Sequence, residues 1–357
     1  MFFDNNRPLL TIDLNALKQN YFNACQYLAS GSINCAAVVK ANAYGLGAKE
    51  VVEALLSTSC RDFYFTYTSE IPDLAQGLNI YILAPQTESE MGASMKCGYV
   101  SVLSSLAEIE QFKAVSSNLG LNAPCVINID TGMNRLGLSA GEITPDIICG
   151  LNIKYFMSHL ACADEKNHSM NQHQLNQIDG LKKLYPNIKF SLSNSSGLLL
   201  GPNYHFDQIR IGAMLYGINP QPDAKSVALP VATIMAKVVG KKTSVQATSV
   251  SYGATVSCSS GTKILTLAIG YADGYPKALS NKGYCYALGK KLRVLGRVTM
   301  DFIMVDATPL ADQQIEMLEY VEVMGANVTI DQLAHEAGTI GYEMLTMLQD
   351  RFNRIYL

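Results

Sequence analysis

The sequence lacks three features: a surplus of charge of one sign, a long apolar run and paired cysteines. Its 27 lysines and arginines nearly balance 30 acidic residues, for a net charge of −3, so no strong field attracts nucleic acid or anionic lipid. No apolar stretch reaches the roughly 18 residues of a membrane span. The nine cysteines are scattered without a C-x-x-C pair, which argues against zinc fingers and favours reduced thiols. We therefore expect a cytoplasmic protein that binds neither nucleic acid nor membrane and holds no metal.

The chain of 357 residues, 48% of them hydrophobic, is long enough for two or three domains. In its first two thirds, short apolar runs alternate with stretches of helical period. Several runs lack polar alternation, which is typical of parallel strands buried on both faces. Eight strand–helix units predict an α/β fold, a closed (β/α)₈ TIM-type barrel rather than an open doubly wound sheet.

The eight predicted strands are CAAVVK (35–40), DFYFTY (62–67), NIYILA (79–84), YVSVL (99–103), PCVINI (124–129), IKYFMS (153–158), KFSLS (189–193) and DQIRI (207–211). The helical stretches include 14–29, 48–57, 69–76, 105–115 and 170–185.

A change of pattern marks a second domain. Pro220, Pro222 and Pro230 break any helix in the segment 217–231 and predict a linker there. The following strand-like segments are 233–245, 262–270, 291–300, 302–308 and 320–325, and Thr329 with Gln332 predicts a capping box. We expect a barrel over 1–230 and a mostly β domain over 231–357, with the extreme N-terminal strand free to pack with the second domain.

Polar residues follow the predicted strands, at the end of a barrel where functional residues gather. The first strand ends in Lys40, and burial would lower its pKa toward that of a useful nucleophile or base. A lysine that reaches solvent is the structural alternative. Other strand ends carry residues that each have an ordinary structural alternative: Asn128, Asp130, Arg135, His159, Asn194, Ser195, Arg210 and Gly212. Together they predict one polar site at the barrel mouth.

Asn194, Ser195, Gly212 and Ala213 suggest a phosphate site, because backbone N–H groups at helix N-termini bind anions. A lysine beside a phosphate cradle on a barrel suggests pyridoxal phosphate, bound as a Schiff base. A dinucleotide site at GLGAKE (45–50) is weakly supported, because the third glycine is missing.

Seven motifs resemble the alanine racemase family along nearly the whole chain. They are AVVKANAYGLGA (37–48), IDTGMNRLG (129–137), MSHLACAD (157–164), RIGAMLYG (210–217), SYGATVS (251–257), GYADGYP (270–276) and GRVTMDFIMVD (296–306). The resemblance implies a fold-type III pyridoxal phosphate enzyme with a barrel and a C-terminal β domain. It also implies a homodimer in which the partner's C-terminal domain completes each active site.

The resemblance assigns roles by motif. Lys40 would hold the cofactor covalently and act as base and acid on one face of the substrate Cα, and Tyr252 from the other subunit would act on the opposite face. Arg210 would face the pyridine nitrogen, and His159 would belong to its network. Matches to phosphate contacts are Tyr44, Ser195, Gly212 and Ala213. Matches to substrate contacts or to the lining of the site are Arg135, Met300, Tyr271, Asp273 and Asp301.

Two positions depart from the family pattern. Many members carry a carbamylated lysine where this chain has Asn128, and others with asparagine there hold an anion, so we expect chloride beside Asn128 and Arg135. The family often has a phosphate-contacting tyrosine just before the arginine near the C-terminus. Here Asp350 precedes Arg351, so we expect weaker phosphate binding.

The leading hypothesis is interconversion of L- and D-alanine to supply D-alanine for peptidoglycan. Two alternatives stay open. One is a racemase of broader preference, for example for serine. The other is a non-catalytic pyridoxal phosphate-binding protein, which the presence of a C-terminal domain and Tyr252 disfavours. A decarboxylase of the same fold would place a carboxylate opposite the pyridine nitrogen, and Arg210 argues against it.

Overall fold

The computed structural model describes residues 6–73, 77–222 and 225–357. The end of the predicted helix 69–76 and part of the predicted linker 217–231 lie outside these ranges. Within them, no helix combines the length and the apolar character that crossing a membrane requires.

The strands, in chain order, are β1 (Leu9–Ile12), β2 (Asn34–Val38), β3 (Asp62–Phe65), β4 (Asn79–Ile82), β5 (Val100–Leu103), β6 (Pro124–Asn128), β7 (Asn152–Met157), β8 (Phe190–Ser191), β9 (Gln208–Ile211), β10 (Ala232–Thr243), β11 (Thr248–Val250), β12 (Val256–Cys258), β13 (Lys263–Leu267), β14 (Tyr284–Ala287), β15 (Lys290–Leu295), β16 (Ile303–Asp306), β17 (Tyr320–Met324) and β18 (Asn353–Tyr356). The helices are α1 (Leu14–Gln26), α2 (Lys40–Tyr44), α3 (Ala48–Leu56), α4 (Glu88–Lys96), α5 (Leu106–Leu119), α6 (Pro145–Ile148), α7 (Ser169–Leu184), α8 (Ser195–Leu198), α9 (Asp312–Met317), α10 (Ile330–Ala337) and α11 (Gly341–Thr346).

The strands β2 to β9 close into a parallel barrel in sequence order, which confirms the predicted fold. All four residues of β3, β5 and β9 are buried, because one face packs inside the barrel and the other against the outer helices. Inward residues such as Tyr64, Tyr81 and Val102 form a separate interior cluster. The barrel interior is therefore a packed core that opens only at its mouth.

The second domain is an eight-stranded sheet built around the long strand β10. The strand order is β13-β16-β15-β14-β17-β10-β1-β18, and β10 also pairs with β13, so six strands form a ring. The N-terminal strand β1 pairs antiparallel with β10 and parallel with β18. The first strand of the chain thus belongs to the C-terminal sheet, and the barrel begins with β2.

Most of the differences from the sequence-based prediction concern short elements. The prediction omitted β14, β18 and the hairpin of β11 and β12. Among the described residues of the predicted helix 69–76, helical structure is confined to the turn Thr68–Glu70. Ile71 is extended, with φ −77° and ψ 121°, because a residue before proline disfavours the helical region. The predicted capping box is confirmed: Thr329 and Gln332 bond reciprocally at the start of α10.

The two domains meet at the segment that follows Lys40. Gly45 ends α2 with φ 83°, and a Cβ at this position would lie 2.5 Å from the carbonyl oxygen of Leu345 in α11. From β18, Arg354 Nη1 donates to the carbonyl oxygen of Gly45 at 2.6 Å, and Tyr356 Oη donates to that of Leu46 at 3.0 Å. The C-terminal domain therefore supports the loop that carries the candidate lysine.

This contact predicts that Gly45→Ala destabilises the protein more than Gly120→Ala. Both glycines have positive φ, but a Cβ at Gly120 meets no atom within 4 Å. The left-handed conformation should cost each alanine about 1–2 kcal/mol, and the collision with Leu345 should add about 1–3 kcal/mol at Gly45. The free energies of unfolding in urea measure the difference, and equal losses would contradict the tight docking.

Candidate active site

Side chains along a barrel strand point alternately inward and outward, and this alternation helps to bring the candidate residues to the mouth of the barrel. Ala36, Val126 and Met157 belong to the interior cluster, so residues an even number of positions further along the chain point the same way where the strand stays extended. That parity selects Asn128 and His159. Lys40 lies beyond Val39, whose ψ of 17° ends the extended strand, and it too lines the mouth. Alternation along an apolar strand is thus the signal that separates inward strand ends from outward ones.

These strand ends open into a cavity of about 1060 Å³. Residues of α10 and α11, including Asp331 and Tyr342, line its C-terminal side. Ten of the predicted site residues line it: Lys40, Tyr44, Asn128, Arg135, His159, Asn194, Ser195, Arg210, Gly212 and Ala213. These ten barrel residues therefore converge on one mouth, whereas Asp130 does not line the cavity and its Oδ1 accepts the N–H groups of Gly132 at 2.8 Å and Asn134 at 3.1 Å.

The predicted residues of the second domain lie elsewhere. Tyr252, Tyr271, Met300 and Asp301 are not among the lining residues of this cavity. Tyr252 is 72% exposed in a turn between β11 and β12, and Met300 is 53% exposed. Arg351 bonds Asp301 at 2.8 Å and Asp273 at 3.1 Å, so it fixes two of the residues that line the predicted entrance. Within one chain, the barrel residues that line the cavity and the predicted site residues of the second domain therefore do not form one site.

Lys40 begins a left-handed turn. Ala41, Asn42, Ala43 and Tyr44 all have φ between 51° and 55°, a conformation that costs residues with a Cβ about 1–2 kcal/mol each. Burial lowers the pKa of Lys40, the charge of Arg135 lowers it further, and Glu70 opposes them. A lysine with a lowered pKa is neutral more often near pH 7 and can act as nucleophile or base.

The guanidinium of Arg210 is buried and bonded to neutral acceptors. Its Nη1 donates to Ser191 Oγ at 2.6 Å, and its Nη2 donates to the carbonyl oxygen of Ser158 at 2.6 Å. Within the described ranges no carboxylate forms an ion pair with it. Burial, followed by the charge of Arg135, lowers the pKa of Arg210, yet a guanidinium stays protonated in proteins. A fixed positive charge therefore lies at the floor of the cavity.

His159 lies between Arg210 and Asn194. Its Nδ1 is 3.3 Å from Arg210 Nη2, and its Nε2 is 3.4 Å from Asn194 Nδ2. Burial lowers its pKa to about 3, with Arg210, Arg135 and Lys40 adding to the shift. The imidazole is therefore neutral at physiological pH, and Nδ1 can accept a hydrogen bond from the guanidinium.

Tyr44 and the segments that start α8 and follow β9 form a small polar recess. Ser195 Oγ accepts the N–H groups of Gly212 at 3.1 Å and Met214 at 3.3 Å. A Cβ at Gly212 would collide with the hydroxyl of Tyr44, so only glycine lets the tyrosine approach. Asn194 Oδ1 accepts the N–H of Gly197 at 2.8 Å. Hydroxyl and N–H groups gathered in this way suit a phosphate.

Two residues in or beside the cavity were not predicted from the sequence. Tyr342 of α11 lines the cavity, with its ring centroid 5.9 Å from that of Tyr44, and no local pattern indicates that it returns to the barrel. Glu70 lies beside the cavity, five residues past the end of β3. It is the third residue after Tyr67, the position at which an acid indicates a helix cap. Asp350, by contrast, is exposed and is not a lining residue. The expectation of weaker phosphate binding stays a prediction, and the aromatic hydroxyl on this side of the cavity comes from Tyr342.

Comparison with known proteins covers the whole chain. The family descriptions "Alanine racemase, N-terminal domain" and "Alanine racemase, C-terminal domain" match residues 12–220 and 231–356. The chain belongs to the alanine racemase family. A protein from Mesorhizobium japonicum named "Alanine racemase, catabolic" is 37% identical over 358 residues, which are 98% of this chain and 93% of that protein. The alanine racemase of Rickettsia canadensis is 37% identical over 356 residues, 97% of this chain and 98% of that one.

A solved structure supports the same family. The alanine racemase from Bartonella henselae, with covalently bound pyridoxal phosphate, superposes with a TM-score of 0.91 at 33% identity, covering 98% of this chain and 99% of that one. The family resemblance inferred from the seven motifs is thus confirmed. The cavity described above is the candidate active site of an alanine racemase family member.

The neutral His159 predicts a pH dependence of stability. Histidine has a pKa near 6.5 when unfolded and about 3 here, so between these values only the unfolded chain binds the proton. Acidification from pH 7 to pH 4 should therefore lower the free energy of unfolding, starting as the pH falls through 6.5.

The His159→Gln variant should lose less stability than the parent over this range, in urea unfolding of the cofactor-free protein. His173→Gln is the control for removing an imidazole, because His173 is exposed on α7. Identical pH slopes for the parent and His159→Gln would contradict a buried neutral imidazole.

Proposed function

We propose that the protein is a pyridoxal phosphate-dependent alanine racemase that interconverts L- and D-alanine and supplies D-alanine for peptidoglycan. One observation carries the proposal: a lysine with a lowered pKa lies at the barrel mouth, in one cavity with a buried guanidinium and a polar recess. Family membership over the whole chain supports the same reaction.

The cavity residues fit pyridoxal phosphate. Lys40 would bind the aldehyde carbon, and Tyr44, Ser195, Gly212 and Ala213 would hold the phosphate. The close approach of Tyr44 to Gly212 leaves its hydroxyl at this recess, and Tyr342 adds a second phenol on the same side. When bound, the cofactor supplies an electron sink that makes the substrate Cα proton acidic.

Arg210 would limit that electron sink. Its Nη groups are held by Ser191 and Ser158, and facing the pyridine nitrogen it would act only as a donor. Because the guanidinium retains its proton, the ring nitrogen would stay unprotonated. A cofactor that withdraws electrons only modestly would favour return of the proton to Cα over side reactions such as transamination.

Racemisation with exchange at both faces needs a proton-transfer group on each side of Cα. Lys40 would serve one face. Tyr252 would serve the other, but it is exposed and outside the cavity of its own chain. Tyr271, Met300 and Phe302 are also more than 40% exposed, and exposed apolar residues often mark an interaction surface. We infer a homodimer in which each chain supplies Tyr252 to the cavity of the other.

The substrate carboxylate would bind Arg135, together with the backbone N–H of Met300 from the other chain. Arg135 lies in the loop that follows β6, and Asn128 Nδ2 donates to Ser104 Oγ at 3.1 Å at the end of that strand. Asn128 carries no charge that could orient the guanidinium. A chloride ion beside Asn128 and Arg135 would supply that charge.

The Tyr252→Phe variant tests the two-sided mechanism. Loaded with pyridoxal phosphate, it should racemise alanine about 10²–10⁴ times more slowly than the parent. In heavy water it should still exchange the α-proton of the enantiomer whose proton faces Lys40, and lose exchange from the other. Lys40→Ala should lose both. Chiral analysis and proton NMR measure the two effects, and Tyr27→Phe, at the exposed tyrosine that follows α1, is the matched control.

The outcomes separate the alternatives. A parent protein that leaves L-alanine optically unchanged would contradict the racemase proposal and favour a non-catalytic binding protein. Faster racemisation of serine than of alanine would overturn the assigned substrate. Equal exchange from both enantiomers in Tyr252→Phe would contradict the role of Tyr252.

A further inference from the structure

Glu70 joins the lysine segment to the neighbouring strand. Its Oε1 accepts the N–H of Ala41 at 3.1 Å. Its Oε2 accepts the N–H of Thr66 at 2.8 Å and that of Tyr67 at 3.3 Å. One carboxylate therefore connects the residue after Lys40 with the end of β3.

The hydrogen bond from Ala41 gives an acceptor to a backbone N–H group that has none within its own turn. The first N–H groups of any helical turn have no acceptor within the turn, and Ala41 is the first left-handed residue, with φ 51°. The later turn residues bond along the chain, as Ala43 N–H does to the carbonyl oxygen of Val39 at 2.9 Å and Gly45 N–H to that of Ala41 at 2.8 Å. Glu70 supplies from outside the acceptor that the turn itself does not offer.

We propose that Glu70 is a positioning residue for Lys40, which fixes the first residue of the left-handed turn and thereby the direction of the lysine side chain. The proposal rests on the proposed function for its catalytic consequence, but not for its effect on the lysine itself. Glu70 is not a lining residue of the cavity, so it acts through the backbone and through its charge.

The negative charge of Glu70 also acts on Lys40. Burial and Arg135 lower the pKa of Lys40, and Glu70 raises it. His159 lines the same cavity but adds no charge, because its own pKa of about 3 leaves it neutral. The charged side chains of Arg210, Asp164, Asp331 and Glu343 line the cavity as well. Glu70 therefore limits how far the lysine pKa falls, while Arg135 and burial keep it below the usual value.

Other glutamates in the chain form similar caps without this consequence. Glu90 Oε2 accepts the N–H of Thr87 at 2.9 Å and its hydroxyl at 2.8 Å, at the start of α4. That cap serves only its own helix and is not part of the cavity lining. Glu90→Gln is therefore the matched control for Glu70→Gln, because both changes keep the shape of the side chain and remove one acceptor and one charge.

The first experiment measures Lys40 in cofactor-free protein. The rate of acetylation by acetic anhydride is followed as a function of pH, with peptide mapping to isolate Lys40. In Glu70→Gln, loss of the opposing charge should lower the lysine pKa and speed labelling below that pKa by roughly a few-fold. Glu90→Gln should label like the parent. Unchanged labelling in Glu70→Gln, with a loss of thermal stability no larger than that of Glu90→Gln, would overturn the proposal.

The second experiment uses protein loaded with pyridoxal phosphate. Glu70→Gln should lower kcat for alanine racemisation on the order of tenfold, with a smaller change in KM, because a displaced lysine affects proton transfer more than substrate binding. The acidic limb of its pH–rate profile should also move to lower pH. A variant with the kcat and pH profile of the parent would contradict the positioning role. If the parent itself fails to racemise alanine, the proposed function fails, while the labelling result still decides the role of Glu70.

Discussion

The left-handed turn after Lys40 is the constraint on which both domains depend. Four consecutive non-glycine residues have the left-handed conformation, which is unfavourable for each of them. The surrounding structure must therefore hold them there. Glu70 does so from the barrel, while Arg354 and Tyr356 do so from β18. The barrel supplies the lysine, but the C-terminal sheet helps to fix its direction. The C-terminal domain contributes no strand to the barrel, but through these contacts it helps to position the candidate lysine.

The charges of the site follow from the same arrangement. Lys40, Arg135 and Arg210 line one cavity in a protein whose net charge is only −3. Burial and the charge of Arg135 lower the pKa of Lys40, and burial together with all three charges keeps His159 neutral. The cavity is thus prepared for anions, which in the proposed reaction are a phosphate and a carboxylate. Asp164, Asp331 and Glu343 line the same cavity, so the positive charge belongs to the neighbourhood of Lys40, Arg135 and Arg210 and not to the cavity as a whole.

The barrel and its strand-end residues could be predicted because they obey a short-range rule. Alternation along apolar strands determines which side chains face inward, and closure of the barrel brings Lys40, Asn128, His159 and Arg210 together. The left-handed turn could not be predicted in this way, because Ala41 to Tyr44 contain no glycine that would indicate a positive φ. Tyr342 was missed for another reason. Its place in the cavity depends on how α11 docks against α2, a contact between residues about 300 positions apart that no local pattern encodes.

In the proposed dimer, a complete site takes Lys40 from one chain and Tyr252 from the other. Lys40→Ala and Tyr252→Phe chains carrying different tags can be co-expressed, and the mixed dimers isolated by tandem purification and loaded with pyridoxal phosphate. Each mixed dimer would contain one site with both substitutions and one with neither. We therefore expect about half the parental alanine racemase activity, although each variant alone should be nearly inactive. Mixed dimers without activity, beside an active parent, would contradict it.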